Sequence, residues 1–303
     1  MKKRIISIII CMVLIFAVGC SSTETEKTVT DREGNEVTIP TKIERIVSTA
    51  PSNTEVLVDL GVADKLVCVD NYSEGIEGLN KDVEKMDFSA PDAEAIIGLE
   101  PDIIIASGYN KSGSGDDPFK AVSDAGISVV YIPSSNSING IYKDIEFLAS
   151  IVNAEDEGQK IISNMKKEIS EIAEKGKTIK DKKTVYFEIG PAPTLYSIGK
   201  DTFVNEMISL IGAENIFKDE ESWISPTEES VLDANPDVIL TNVNYVDDPV
   251  SEIIGRQGWD SITAVKNKDV YSIDADSSSR PTPNIIKALK EMAKAIYPGV
   301  YEQ

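Results

Sequence analysis

Histidine is absent from all 303 residues. That absence excludes a serine–histidine catalytic pair, any imidazole acid–base step, and the imidazole-rich sites that dominate zinc binding. Cysteine is nearly absent too. Of the three present, Cys11 lies in an apolar leader and Cys20 follows it, so Cys68, in the apolar run LVCV, has no partner and no disulfide is possible in the body. Positive charge is scarce: 30 Lys and Arg stand against 51 Asp and Glu, a net charge of −21. Removing the three basic residues of the leader, which holds no acid, takes this to −24. A body so acidic repels nucleic acid and anionic lipid surfaces, so no nucleic-acid partner is expected. The many carboxylates are not fixed in pairs by any motif. No enzymatic activity, catalytic residue, cofactor or protein-held metal is therefore expected.

What is present begins with the leader. Lys2, Lys3 and Arg4 precede an apolar run, Ile5 to Val18, interrupted only by Ser7, which has the length of a signal peptide rather than a membrane span. Small residues before Cys20 and the polar SSTETEKT after it resemble a bacterial lipobox, with Ala17 where leucine is usual. Residues 1–19 are expected to be removed and Cys20 lipidated, tying the chain to the outer face of the cell membrane. The alternatives are an uncleaved anchor and ordinary secretion.

Two stretches of the body repeat. EAIIGLEPDIII, Glu94 to Ile105, returns as ESVLDANPDVIL, Glu229 to Leu240, with Glu, Pro and Asp in the same register 135 positions apart. Each copy reads as a short helix, a Pro-Asp stop and an apolar, β-branched strand buried on both faces. Repetition of this kind implies two similar α/β lobes, each presenting a glutamate at one place.

Residues 20–42 read as a tether, polar to about residue 28, followed by a hairpin around Gly34 and Asn35. The first lobe, 43–152, has strands near 45–48, 66–69, 103–105 and 129–132. A helix is expected over Thr54–Leu60, with a capping box from Ser52 to Glu55. A linker, 153–182, carries Ile161, Ile162, Met165, Ile169 and Ile172 at helical spacing. The second lobe, 183–303, has strands at 184–189, 238–240 and 270–273 and a terminal helix from Asn284. The fold class is α/β, two Rossmann-like βα lobes joined by one long helix. Ligand sites in such lobes lie in loops beyond the strand C-termini.

Those loops carry residues that a core does not need: Ser52, Asn53, Tyr72, Tyr109 and Asn110 in the first lobe, and Tyr196, Trp223, Asn242, Asn244, Tyr245 and Arg280 in the second. Aromatic side chains give large contact area at low entropic cost, which suits a bulky ligand with apolar edges. The candidate ligand set is Ser52, Asn53, Tyr72, Tyr109, Trp223, Tyr245 and Arg280. Arg280, with only the peripheral Lys111 and Lys200, is too little positive charge for a highly anionic ferric catecholate. A neutral or weakly charged complex fits better.

The lipobox, ERIVSTAPSNTEVLVDLGVADKLVCVDNYS, PDAEAIIGLEPDIIIAS and the ending GWDSITAVKNKDVYSIDADSSSRPTPNIIKALKEMAKAIYP together resemble the class III substrate-binding proteins, which serve ABC importers of iron–siderophore complexes and cobalamin. The resemblance spans nearly the whole mature chain. It implies a lipid-anchored extracytoplasmic monomer that captures a ferric siderophore or a corrinoid between its lobes, with little domain motion. It also implies docking on the permease transmembrane subunits through one glutamate per lobe, here Glu94 and Glu229. Haem or another bulky ligand is the alternative cargo, and a surface adhesion or sensor module the alternative role.

Overall fold

The computed structural model describes residues 25–111 and 117–301. The leader, Cys20 and its expected lipid lie outside the described residues.

The chain enters through a hairpin of β1 (Glu26–Thr30) and β2 (Glu36–Pro40). The strand begins inside the stretch expected to be tether, because Val29 and Val37 alternate onto the core. Asp31 closes the turn and staples it to the body. One carboxylate oxygen accepts the N–H groups of Glu33 at 2.9 Å and Asn35 at 2.8 Å, and the other accepts the Tyr131 N–H at 3.0 Å.

The first lobe is a parallel sheet of β3 (Ile46–Ser48), β4 (Leu66–Asp70), β5 (Glu84–Met86), β6 (Ile103–Ser107) and β7 (Ser128–Ile132), in the order β5-β4-β3-β6-β7. Helices α1 (Pro51–Asp59), α2 (Ala93–Gly98), α3 (Lys120–Asp124) and α4 (Ile138–Val152) cover it. From β3 the chain steps outward to β4 and β5, then returns to β6 on the other side. The order reverses between β3 and β6, which makes the loops after those two strands the crevice of this sheet.

Two local expectations change. Helix α1 starts one turn position early, at Pro51, after an extended Ala50 with no side-chain cap. Proline is pre-set for the first helical position and lacks the N–H that would otherwise need a partner. Ser52 thus falls inside the helix, the capping box does not form, and Glu55 is free to face elsewhere. Helix α4 went unread, although Ile138, Ile141, Ile145, Leu148 and Val152 recur at helical spacing behind the N-cap Ser137.

The linker is α5 (Glu155–Gly176), 22 residues, which at 1.5 Å per residue is about 33 Å long. Its buried stripe of Ile162, Met165, Ile169 and Ile172 joins one apolar cluster running from Ile46 in the first lobe to Ile296 in the second. A glycine near each end lets it lie flush. A Cβ on Gly158 would stand 2.6 Å from that of Ala149 in α4, and one on Gly176 would stand 2.2 Å from the carbonyl oxygen of Leu210.

The second lobe holds β8 (Thr184–Gly190), β9 (Tyr196–Ile198), β10 (Glu214–Asn215), β11 (Trp223–Ile224), β12 (Val238–Thr241) and β13 (Val270–Ser272). Its helices are α6 (Phe203–Ile211), α7 (Glu228–Ala234), α8 (Pro249–Ile254), α9 (Thr263–Asn267), α10 (Ala275–Ser279), α11 (Ile285–Ile296) and α12 (Pro298–Tyr301). The path β11-β9-β8-β12-β13 mixes directions: β8, β12 and β13 are parallel, whereas β9 folds back on β8 and β11 pairs antiparallel with β9. The mirror of the first lobe is therefore incomplete. Strand β9 is also tied to β8 by the Ser197 hydroxyl, which donates to the Phe187 carbonyl at 2.7 Å.

The repeated sequence is repeated structure. Asp92 and Thr227 cap α2 and α7, which places Glu94 and Glu229 alike as the second residue of their helices. Glu100 and Asn235 both turn left-handed, at φ 47° and 44°, and β6 and β12 follow at the same offset. The aspartate of each Pro-Asp then anchors the neighbouring strand. Asp102 accepts the Glu44 and Arg45 N–H groups at 2.7 and 2.9 Å, and Asp237 accepts the Thr184 N–H and hydroxyl, both at 2.9 Å.

Candidate ligand-binding cleft

Loops after β3, β4 and β6 meet at the C-terminal end of the first sheet. Ser48, at the end of β3, begins a buried chain of hydroxyls. The Thr54 hydroxyl oxygen lies 2.9 Å from that of Ser48 and 3.0 Å from that of Ser73, and Ser73 donates to Asp70. Asp70 in turn accepts the Tyr72 N–H at 2.8 Å. Burial pushes the Asp70 carboxyl above its usual range, against the hydrogen bonds from Ser73 and Tyr72. This network fixes the loop that carries Tyr72. The next loop is tied in by Thr49, whose hydroxyl donates to Asn110 Oδ1 at 2.5 Å and accepts the Ser107 N–H at 2.9 Å.

Between these loops and the second lobe lies a cavity of ≈220 Å³ whose walls include Ser52, Tyr72, Phe88, Tyr109, Pro133 and Arg280. Tyr72 and Tyr109 stand 59% and 52% exposed there, and Phe88 meets the Tyr72 ring edge-on with centroids 6.1 Å apart. Exposed large aromatics are costly to leave in water, so their presence on a concave wall marks a contact surface. The structure thus brings Ser52, Tyr72, Tyr109 and Arg280 into one cavity.

The other candidates fall elsewhere. Asn53 is 3% exposed in α1, off the cavity wall, and its side-chain N–H₂ has no partner among the described residues. Trp223 lies on the edge strand of the second sheet, 43% exposed, and Tyr245 stands 70% exposed after β12; neither lines the cavity. Asn110 and Asn242 are engaged in holding structure, the first on Thr49 and the Phe88 carbonyl, the second donating to Ser278 and Ser279 at 3.0 Å. Tyr196 and Asn244 are exposed outside the cavity.

Sequence reasoning missed the contact that joins the lobes. Arg280, from the second lobe, donates through Nη1 to Glu55 of α1 at 2.5 Å and through Nη2 to the Tyr72 carbonyl at 3.3 Å. Asn284 donates to the other oxygen of Glu55 at 3.1 Å, and Asp276 pairs with Arg280 at 2.9 Å. Glu55 is 6% exposed. The signal available was Glu55 beside the apolar run VLV, because a charge on a buried helix face must be paired. Beyond this pair an acidic groove of ≈540 Å³ opens, with Asp59, Glu74, Glu77 and Asp274 against Lys287. Burial and then the charge of Glu55 push the Asp59 carboxyl up to about 6. Among the described residues no cluster of three or more metal-ligating side chains occurs. What this geometry offers is an aromatic-walled cleft between two lobes.

Residues 46–277 match the family model described as periplasmic binding protein. The chain belongs to this family. The binding protein is 36% identical over 281 residues, 91% of its own chain and 87% of the relative, to a Bacillus subtilis protein described as an uncharacterized ABC transporter substrate-binding lipoprotein, YvrC. It is 27% identical over 253 residues, 83% of this chain and 88% of the relative, to the vitamin B12-binding protein of Vibrio campbellii. Among solved structures, a possible iron-binding periplasmic solute-binding protein from Staphylococcus epidermidis shares 31% identity at a TM-score of 0.75, covering 84% of this chain and 99% of that one. The binding protein is accordingly an ABC-transporter substrate-binding protein of the class III fold, not an enzyme, and works with permease subunits outside the cytoplasm. Among the described residues no helix is long and apolar enough to cross a membrane.

Proposed function

We propose that this binding protein captures a bulky metal chelate of low net charge, a corrinoid such as cobalamin or a ferric siderophore of the hydroxamate type, in the inter-lobe cleft. The observation that carries the reading is the pair of exposed rings, Tyr72 and Tyr109, on a cavity whose charged wall residue among those described, Arg280, is already ion-paired. The cavity is smaller than a typical ligand pocket, about 300–1,000 Å³, so it takes one edge of such a ligand while the remainder rests in the open cleft. The relatives named for vitamin B12 and for iron support the same class. Export and lipidation at Cys20 would keep the loaded protein at the membrane, where Glu94 and Glu229, both exposed, would pair with arginines of the permease.

Calorimetric titration of the mature chain with cyanocobalamin, a ferric trihydroxamate and haem tests the reading. Saturable one-to-one binding of either of the first two is expected. Binding of haem alone would transfer the proposal to the alternative cargo, and binding of none would end it.

A further inference from the structure

The inter-lobe contact bears on what the cleft accepts. We infer that Glu55 sets the charge specificity of the site: by clamping Arg280 across the cleft it withholds the guanidinium from the ligand, and so selects neutral or cationic chelates over anionic ones. The inference rests on the proposed chelate-binding reading and deepens it.

Arg280 is the charged residue on the cavity wall among those described, and its two terminal nitrogens are spoken for. Nη1 faces Glu55 at 2.5 Å, and Nη2 faces Asp276 at 2.9 Å and the Tyr72 carbonyl at 3.3 Å. The side chain is 16% exposed and that of Glu55 only 7%, so the pair is held largely out of water. Asn284 satisfies the second oxygen of Glu55 at 3.1 Å and prevents it from rotating away. Two carboxylates on one guanidinium leave a local charge that is not positive. The neighbouring cations are covered as well: Lys111 pairs with Glu33 at 2.9 Å and lies over the Tyr131 ring, and Lys85 pairs with Glu74 at 3.0 Å. Beyond Arg280 the groove is acidic. Among the described residues lining the cavity no cation stands unpaired, so an anionic chelate there must either break a desolvated ion pair or lie beside carboxylates. A neutral chelate meets aromatic surface and needs neither.

The test compares ligands of different charge, the first pair differing in charge alone. Cyanocobalamin is neutral; its monocarboxylate, with one side-chain amide hydrolysed, has the same bulk and is singly anionic. A cationic ferric trihydroxamate and a triply anionic ferric tricatecholate form the second pair. The wild-type protein is expected to prefer the less anionic member of each pair, by roughly five- to tenfold for the single charge. Glu55→Gln, which keeps the shape and releases Arg280 Nη1 from its carboxylate while Asp276 still holds Nη2, should shrink that preference. Arg280→Gln, which uncovers Glu55, should deepen it. Opposite shifts from the two ends of one contact are not what a merely structural role produces. Amide exchange in residues 280–284 and 71–74 should accelerate in Glu55→Gln. Equal or tighter binding of the anionic member by the wild type, or the same preference in all three proteins, overturns the inference while leaving chelate binding intact. If no chelate binds, the functional reading fails and exchange alone judges the clamp: unchanged exchange in Glu55→Gln overturns it.

Discussion

At the scale of single residues, the side chains that matter most are charged groups the sequence makes look ordinary. Glu188 sits in the apolar strand TVYFEI, yet it is fully buried and held bidentately by Arg256 at 2.7 and 2.8 Å, with the guanidinium 4.5 Å from the Trp259 ring. Asp274 shows the same principle nearer the cleft. Burial alone would raise its carboxyl, but the Lys287 ammonium at 2.6 Å and the bonds from Ser277 outweigh it and hold Asp274 down to about 2. A depressed carboxylate contributes stability above its unfolded value near 3.8, and that contribution is lost as pH falls from about 4 towards 2. The side chain is a third exposed, so screening trims the effect. Asp274→Asn should flatten the acid limb of urea-melt stability over that interval and leave its slope above pH 5 unchanged. These pairings could not be read from sequence because each partner is distant: 68 positions separate Glu188 from Arg256, and 225 separate Glu55 from Arg280. The aromatics were easier. Tyr72 and Tyr109 announced themselves because nothing in their polar loops explained a ring. The same argument also nominated Trp223 and Tyr245, which the structure leaves outside the cavity.

At the scale of elements, the sequence was most legible where it repeats. The Pro-Asp register between 94–105 and 229–240 foretold matching helices and matching strands, since each depends on local chemistry; the matching left-handed turns at Glu100 and Asn235 emerge only in the structure. The aspartates explain the repetition: each anchors the first strand of its sheet. Nothing in that anchoring needs a glutamate at the second helical position. Glu94 and Glu229 are exposed, and neither has an ion-pair partner among the described residues, which is what a docking pair requires. Reversing both charges to lysine should abolish ligand uptake in cells while leaving calorimetric affinity unchanged; surviving uptake would dismiss the docking role. The strut makes a second prediction. Because a Cβ on Gly176 would stand 2.2 Å from the Leu210 carbonyl oxygen, Gly176→Ala must push α5 away from α6. Thermal melts should show a loss of about 1–3 kcal/mol, the range for overpacking a close contact. Exposed Gly299 serves as the control. The short elements β9 and α10 carry no apolar period long enough to announce them.

At the scale of the whole molecule, two sheets share one apolar cluster through α5, so the lobes are not independent bodies on a hinge. A second contact, of Glu55 with Arg280 and Asn284, ties the lobes directly, between residues 225 and 229 positions apart in the sequence. The fold class followed from alternating strands and helices, because that pattern admits few arrangements. The cleft followed only in part. Loops beyond strand ends gave its place, while its charge depended on which partners met across it. In the proposed function the ligand rests on Tyr72 and Tyr109. Calorimetry of Tyr72→Ala/Tyr109→Ala against cyanocobalamin and a ferric trihydroxamate tests it most directly, with Trp223→Phe alongside. Removal of both rings is expected to weaken binding by roughly a hundredfold, at 1–2 kcal/mol per lost aromatic contact, and Trp223→Phe to leave it unchanged. Full affinity in the double variant, or its loss in Trp223→Phe, would contradict the account and move the site out of this cavity.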